Sequence, residues 1–144
     1  MEPRVSLVTL GVADLDRAVA FYENVLGWTV AQHPPGVAFF DLGGLILALF
    51  PHADLAQDMQ LAQPIVGGGY EGFTLAHNLR SIAEVDALFA QLKRRGATIV
   101  KPPHKTDWGG YSGYFADPDG HKWEVAHNPF WTVRADGRIA LSPP

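Results

Sequence analysis

Apolar and polar positions along this chain switch between a strand-like and a helix-like period, and they do so twice. Val5 to Val12 reads as a strand of mixed burial, after which Asp14 is placed to cap a helix. Leu15, Ala18, Val19, Tyr22, Val25 and Leu26 then recur at three- and four-residue spacing, building one apolar face that Gly27 ends. Three short strands are expected next, Trp28 to Gln32, Val37 to Asp41 and Leu45 to Phe50, parted by Pro34-Pro35-Gly36 and Gly43-Gly44. From Pro51 to Tyr70 no period is sustained, and the run closes on Gly67-Gly68-Gly69, as a connecting segment does.

The same order then restarts. Gly72 to Leu79 reads as a strand, and Ser81-Ile82-Ala83-Glu84 is a capping box: a serine oxygen for the first-turn amides and a glutamate reaching back. Ile82, Val85, Leu88, Phe89 and Leu92 make the apolar face of a helix closed by Gly96. Ala97 to Lys101, Gly110 to Ala116 and His121 to His127 supply three further strands. The predicted fold class is α+β, two βαβββ modules in one chain, each a curved mixed sheet forming a half-cup. The expected organisation is a single domain over 1–144, with modules at 5–52 and 72–128, a linker at 53–71 and an extension at 129–144. In the extension Asp136-Gly137 signals a hairpin, and Phe130 and Trp131 are large enough to require packing on the body or on a partner.

The two modules share a turn. Asp41 and Gly44 precede the last strand of the first as Asp117 and Gly120 precede that of the second, at one constant offset. At that offset the partner of Glu124 is Ala48, a residue with no chemistry. Asp117 and Asp119 are read as turn formers.

Composition narrows the function. The 144 residues hold no cysteine, which removes disulfides, thiolate metal sites and a cysteine nucleophile, and fits a cytoplasmic protein. The net charge of −4 lacks the basic face that nucleic acid requires, and Lys93-Arg94-Arg95 sits where a helix C-terminus favours cations. Neither an export leader nor an apolar run of about 18 residues is present, so no membrane is expected as a partner.

The doubled unit, with Asp117-Pro118-Asp119-Gly120 followed by Glu124, resembles the vicinal oxygen chelate superfamily. This group of glyoxalases, bleomycin resistance proteins, extradiol dioxygenases, epimerases and fosfomycin-resistance enzymes covers about residues 5–127. The resemblance implies two half-cups closing around a site, with metal ligands on the first and last strands of each unit. Carried over singly, those positions fall on Leu7, Ala48, Thr74 and Glu124, so one ligand of four remains. No cofactor is expected at these positions, and a divalent metal would need a relocated or weak site. The six histidines, His33, His52, His77, His104, His121 and His127, show no HxH or HxxxH spacing.

Strand parity turns Leu7, Thr9, Ile46, Ala48, Phe50, Thr74, Asn78 and Glu124 inward. Trp108 and Tyr111, in the loop beside the cup, are expected either as an aromatic wall or lid or as a plug of its mouth or a dimer contact. The expected ligand set is therefore Leu7, Thr9, Ala48, Phe50, Thr74, Asn78, Trp108, Tyr111 and Glu124. A carboxylate among apolar residues suits a general base or a holder of cations, which makes Glu124 the candidate catalytic residue. Three readings follow. The first is a homodimer binding a small, aromatic or cationic molecule without the full metal site. The second is a lyase, isomerase or dioxygenase of the superfamily using Glu124. The third is an interaction module acting through Phe130 and Trp131.

Overall fold

The computed structural model describes residues 1, 3, 6–58, 60 and 73–140. Val5 and Gly72, expected to begin strands, lie outside the described residues, as do most of the connecting segment and residues 141–144. The chain divides into two compact units, Met1–Gly69 and Tyr70–Pro144.

The first unit runs β1 (Leu7–Val12), α1 (Leu15–Asn24), β2 (Ala38–Asp41), β3 (Ile46–Pro51), α2 (His52–Asp58). Its sheet has the order β1-β3-β2, with β1 parallel to β3 and β2 antiparallel. Asp14 caps α1 as its side-chain chemistry predicts, accepting from the Arg17 amide at 2.9 Å. One sheet face, carrying Leu10, Val12, Phe40, Leu47 and Leu49, is buried together with Ala18, Val19, Phe21 and Tyr22 of α1. The Tyr22 ring lies 5.5 Å from both Phe40 and Trp28. Such aromatic pairs add about 0.5–1.5 kcal/mol each beyond their buried area.

Two expectations are corrected here. Trp28 to Gln32 is not a strand; it contributes one bridge, Gln32 to Phe39. Packing overrides its β propensity: the Trp28 amide donates to the Tyr22 carbonyl at 3.0 Å and its indole joins the aromatic cluster, so the end of α1 directs the backbone. The start of the expected connector is the helix α2, of which Ala56 is the buried residue. A single buried position leaves no period to read in the sequence.

The second unit runs β4 (Leu75–Asn78), α3 (Ile82–Arg94), β5 (Thr98–Lys105), β6 (Tyr111–Ala116), β7 (Lys122–His127), β8 (Thr132–Val133), β9 (Ile139–Ala140). Its main sheet has the order β4-β7-β6-β5, with β4 parallel to β7 and the other pairs antiparallel. The serine cap forms, the Glu84 amide donating to Ser81 Oγ at 3.2 Å, and the Glu84 carboxylate reaches one residue further back than a capping box does, accepting from the Arg80 amide at 2.8 Å. Val85, Phe89 and Leu92 of α3 are buried, as are Phe115, Trp123 and Val125 of the sheet. Phe115 and Trp123 are directly opposed across β6 and β7 and stack with rings 6.2 Å apart and 8° from parallel.

β5 continues past the expected Lys101 through Pro102 and Pro103 to Lys105. An edge strand tolerates prolines because one side of its ladder is unpaired, and its pairing with β6 slips twice, between Ile99 and Lys101 and between Lys101 and His104. Gly113 of β6 makes this possible. A Cβ there would stand 2.6 Å from Phe89 Cζ and 2.7 Å from the Pro103 nitrogen, so only glycine admits so close an approach.

Candidate functional site

The turn before β7 is held by its own side chains. The Asp117 carboxylate accepts from the amides of Asp119 (3.0 Å) and His121 (2.9 Å), and its other oxygen pairs with His121 Nδ1 at 2.8 Å. Both side chains are buried. Asp41 repeats the first part of this pattern, accepting from the Gly43 amide at 2.8 Å. The second turn thus carries an extra buried pair, which fixes where β7 begins and which of its residues share a face.

That register decides the site. Trp123 and Val125 share the α3 side with Phe115 and Gly113, which leaves Lys122, Glu124 and Ala126 on the opposite, open face. Opposite Glu124 stand Ala76 of β4 and Tyr114 of β6. Burial, then the Glu124 charge and a side-chain hydrogen bond to it, push the Tyr114 hydroxyl above its ordinary value of 10.0. Lys122 turns away, its ammonium donating to the Gly120 carbonyl. Among the described residues no cation pairs with Glu124.

Ala76, Asn78, Glu124 and Ala126 form the floor of a cavity of about 270 Å³, with Trp108, Asn128 and Trp131 completing its lining. Each tryptophan is held locally. Trp108 rides on a closed turn in which Thr106 Oγ1 accepts from the Gly110 amide at 3.0 Å and the Thr106 amide donates to the Gly110 carbonyl at 3.0 Å. Its indole folds over Gly110, 1.8 Å from where a Cβ would stand. Trp131 follows a turn in which the Asn128 side chain accepts from the Phe130 amide at 2.9 Å. The extension packs on the second unit: Phe130 lies over Gly109, and the Arg80 guanidinium donates to the Arg134 carbonyl at 2.7 Å.

The expected site residues separate accordingly. Asn78, Trp108 and Glu124 come together in the cavity. Thr74 precedes β4, and its hydroxyl donates to the Lys122 carbonyl at 2.9 Å, closing the start of the ladder rather than lining the cavity. Tyr111 is corrected: it lies on the α3 side of β6, where its hydroxyl donates to Asp86 at 2.8 Å. In the first unit Leu7, Thr9, Ala48 and Phe50 share the face away from α1, with His52 seated against Gly11 at one end.

Tyr114, Asn128 and Trp131 were missed as site residues. Folding the hairpin back about the Asp117 turn places Tyr114 opposite Glu124, a signal present in the sequence. Nothing in the spacing marks Trp131 as a wall.

A metal fits this donor set poorly. The four positions that the resemblance assigns to ligands hold Leu7, Ala48, Thr74 and Glu124, one carboxylate in all, whereas divalent ions take several protein donors. Among the described residues no group of three or more His, Asp or Glu could hold a metal ion.

A β-α-β-β-β order with its first strand parallel to its last is the unit of the vicinal oxygen chelate fold. The chain belongs to the Glyoxalase/Bleomycin resistance protein/Dioxygenase superfamily, whose model matches residues 4–125. It is similar to the metallothiol transferase FosB of Lysinibacillus sphaericus, with 31% identity over 121 residues, 83% of this chain and 79% of that protein. It is also similar to the glutathione transferase FosA of Serratia marcescens, with 32% identity over 120 residues, 82% and 76% of the two chains. The structure of a glyoxalase-related enzyme from Fulvimarina pelagi superposes with a TM-score of 0.86 at 35% identity, covering 98% of this chain and 99% of that one. Among the described residues no helix is long and apolar enough to cross a membrane.

Proposed function

We propose that the protein binds a small molecule in the cavity of its second unit, without the superfamily's full metal site, and acts as a homodimer in the cytoplasm. The supporting observation is Glu124, a half-buried carboxylate with no cationic partner among the described residues, in a cavity it lines together with two indoles and two alanines. Apolar walls with a few convergent polar groups are the usual make-up of such sites. The working unit in this proposal is a single 1–144 domain, with modules at 5–52 and 72–128. Of the expected ligand set, Asn78, Trp108 and Glu124 are kept as contacts, with Leu7, Thr9, Ala48 and Phe50 as the apolar face of the first module.

Two of the four tryptophans line the cavity, so their emission reports occupancy. Titration with a panel of small cationic, neutral and anionic aromatics is expected to give a saturable change that Glu124→Gln weakens. No response to any member of the panel sinks the proposal.

The Tyr114–Glu124 contact favours a second reading, an enzyme of the superfamily in which this pair moves a proton. The two similar proteins named as transferases support transferase chemistry as one form of it; a lyase, isomerase or dioxygenase is another. Elemental analysis of the purified protein, with turnover assays before and after metal addition, separates the readings. Stoichiometric metal with metal-dependent turnover would favour the enzyme.

A further inference from the structure

We infer that the ligand is a small quaternary or N-alkylated aromatic cation, clamped between Trp108 and Trp131 with its charge facing Glu124, and that the C-terminal extension selects it by supplying one wall. This rests on the proposed cavity and adds its ligand class.

Charge carries the first step. The lining of the cavity contains one ionisable side chain, Glu124, and no Lys, Arg or His. Of the basic residues on that face, Lys122 donates to the Gly120 carbonyl, while Lys101 and His104 stand on the edge strand β5 opposite Tyr114 and Ser112 and are not part of the lining; His127 lies on the α3 side with Nδ1 3.2 Å from the Leu79 carbonyl. A ligand that neutralises Glu124 therefore brings its own positive charge.

Hydration carries the second step. A primary ammonium has three donors to satisfy, and the cavity offers few acceptors: Glu124, already in contact with Tyr114, and the amides of Asn78 and Asn128. A quaternary nitrogen has no N–H to satisfy, and it gains from the electron-rich faces of indoles, which are the strongest cation–π partners. The volume of about 270 Å³ is near the small end for ligand pockets and fits one ring with a compact cationic head.

Both walls are built into place by separate means. Gly110 lets the Trp108 indole fold inward, since any Cβ there would occupy the ring's position. Trp131 lies beyond residues 4–125, the part of the chain that the superfamily model matches, so this wall is added to the shared fold. Phe130 over Gly109 ties the extension to the loop that carries Trp108, which couples the two walls.

The test uses the full chain and three probes: benzyltrimethylammonium, its neutral carbon isostere neopentylbenzene, and benzoate, titrated by calorimetry and tryptophan emission. The cation is expected to bind at least about tenfold more tightly than either other probe, and Glu124→Gln to remove most of that preference. Trp131→Leu, which keeps bulk but loses the π face, is expected to weaken the cation about five- to tenfold, and Trp131→Phe to restore most of it. Equal or tighter binding of neopentylbenzene or benzoate overturns the cation inference and leaves the cavity standing as a small-molecule site. Binding of the cation unaffected by both Glu124→Gln and Trp131→Leu overturns the clamp. Silence from all three probes overturns the inference, and silence from the wider panel removes the proposed function with it.

Discussion

Gly113 and Gly110 lie three residues apart, and alanine at each should produce opposite results. At Gly113 the new Cβ meets Phe89 Cζ at 2.6 Å, the Pro103 nitrogen at 2.7 Å and the Lys101 carbonyl oxygen at 2.8 Å. Two of these are backbone atoms of β5, which cannot yield without breaking the slipped pairing of that edge. Overpacking of this kind costs about 1–3 kcal/mol. The upper end applies, because the side chain among these three contacts is the buried Phe89 ring. For a chain of this length about 3 kcal/mol lowers Tm by about 10 °C. At Gly110 the intruding atoms are Cη2, Cζ3 and Cζ2 of Trp108, the far edge of a side chain that is 47% exposed. That ring can swing outward at little cost, and alanine also restricts the unfolded chain, worth about 0.4–1 kcal/mol in favour of folding. Gly110→Ala should therefore melt within about 3 °C of the parent, yet show altered tryptophan emission and weaker binding in the cavity. Thermal melting by circular dichroism and titration of both variants decide the matter. A Gly113→Ala protein that melts within about 2 °C of the parent refutes the packing argument, and a Gly110→Ala protein with unchanged emission and affinity refutes the seating of Trp108.

Three further outcomes are expected. Asp117→Ala removes the carboxylate bonded to the buried His121 ring and strips two amides of their acceptor, so denaturant unfolding should show a loss of about 3–5 kcal/mol. Ser81→Ala removes the cap of α3 and should cost about 1 kcal/mol in the same assay, with no effect on binding. Phenolate absorbance should show Tyr111, bonded to Asp86, and Tyr114 both titrating late, and Glu124→Gln should bring only Tyr114 back toward 10.0, because the repelling charge is gone. In stability terms the Tyr114 hydroxyl has its folded value raised. Its contribution is whole below the unfolded value and is lost as pH rises through the folded one, so an alkaline unfolding profile that Glu124→Gln leaves unmoved would refute the contact.

Local chemistry made much of this protein legible from the chain. Asp14 and Ser81 cap helices wherever a helix follows them, and three- and four-residue spacing needs a single apolar face to be read. The superfamily, too, was written in the doubled unit and in the Asp117 turn, because that turn is specified by its own side chains. The parity that turns Glu124 to the open face follows from β7 alone. Contacts between segments distant in sequence decided the rest. Trp28 to Gln32 has the residues of a strand, but the end of α1 and the Phe40 ring claim its first residue. Tyr111 looked like a wall of the cup, and the pairing of β6 with β7 assigns it to α3 and Asp86 instead. Trp131 looked like packing, and the Asn128 turn places it in the cavity. The division has a physical cause: caps, turns and periodicity are fixed by neighbours within about four residues, whereas the face a residue presents to a distant strand is fixed by register. Register is set by the sheet as a whole.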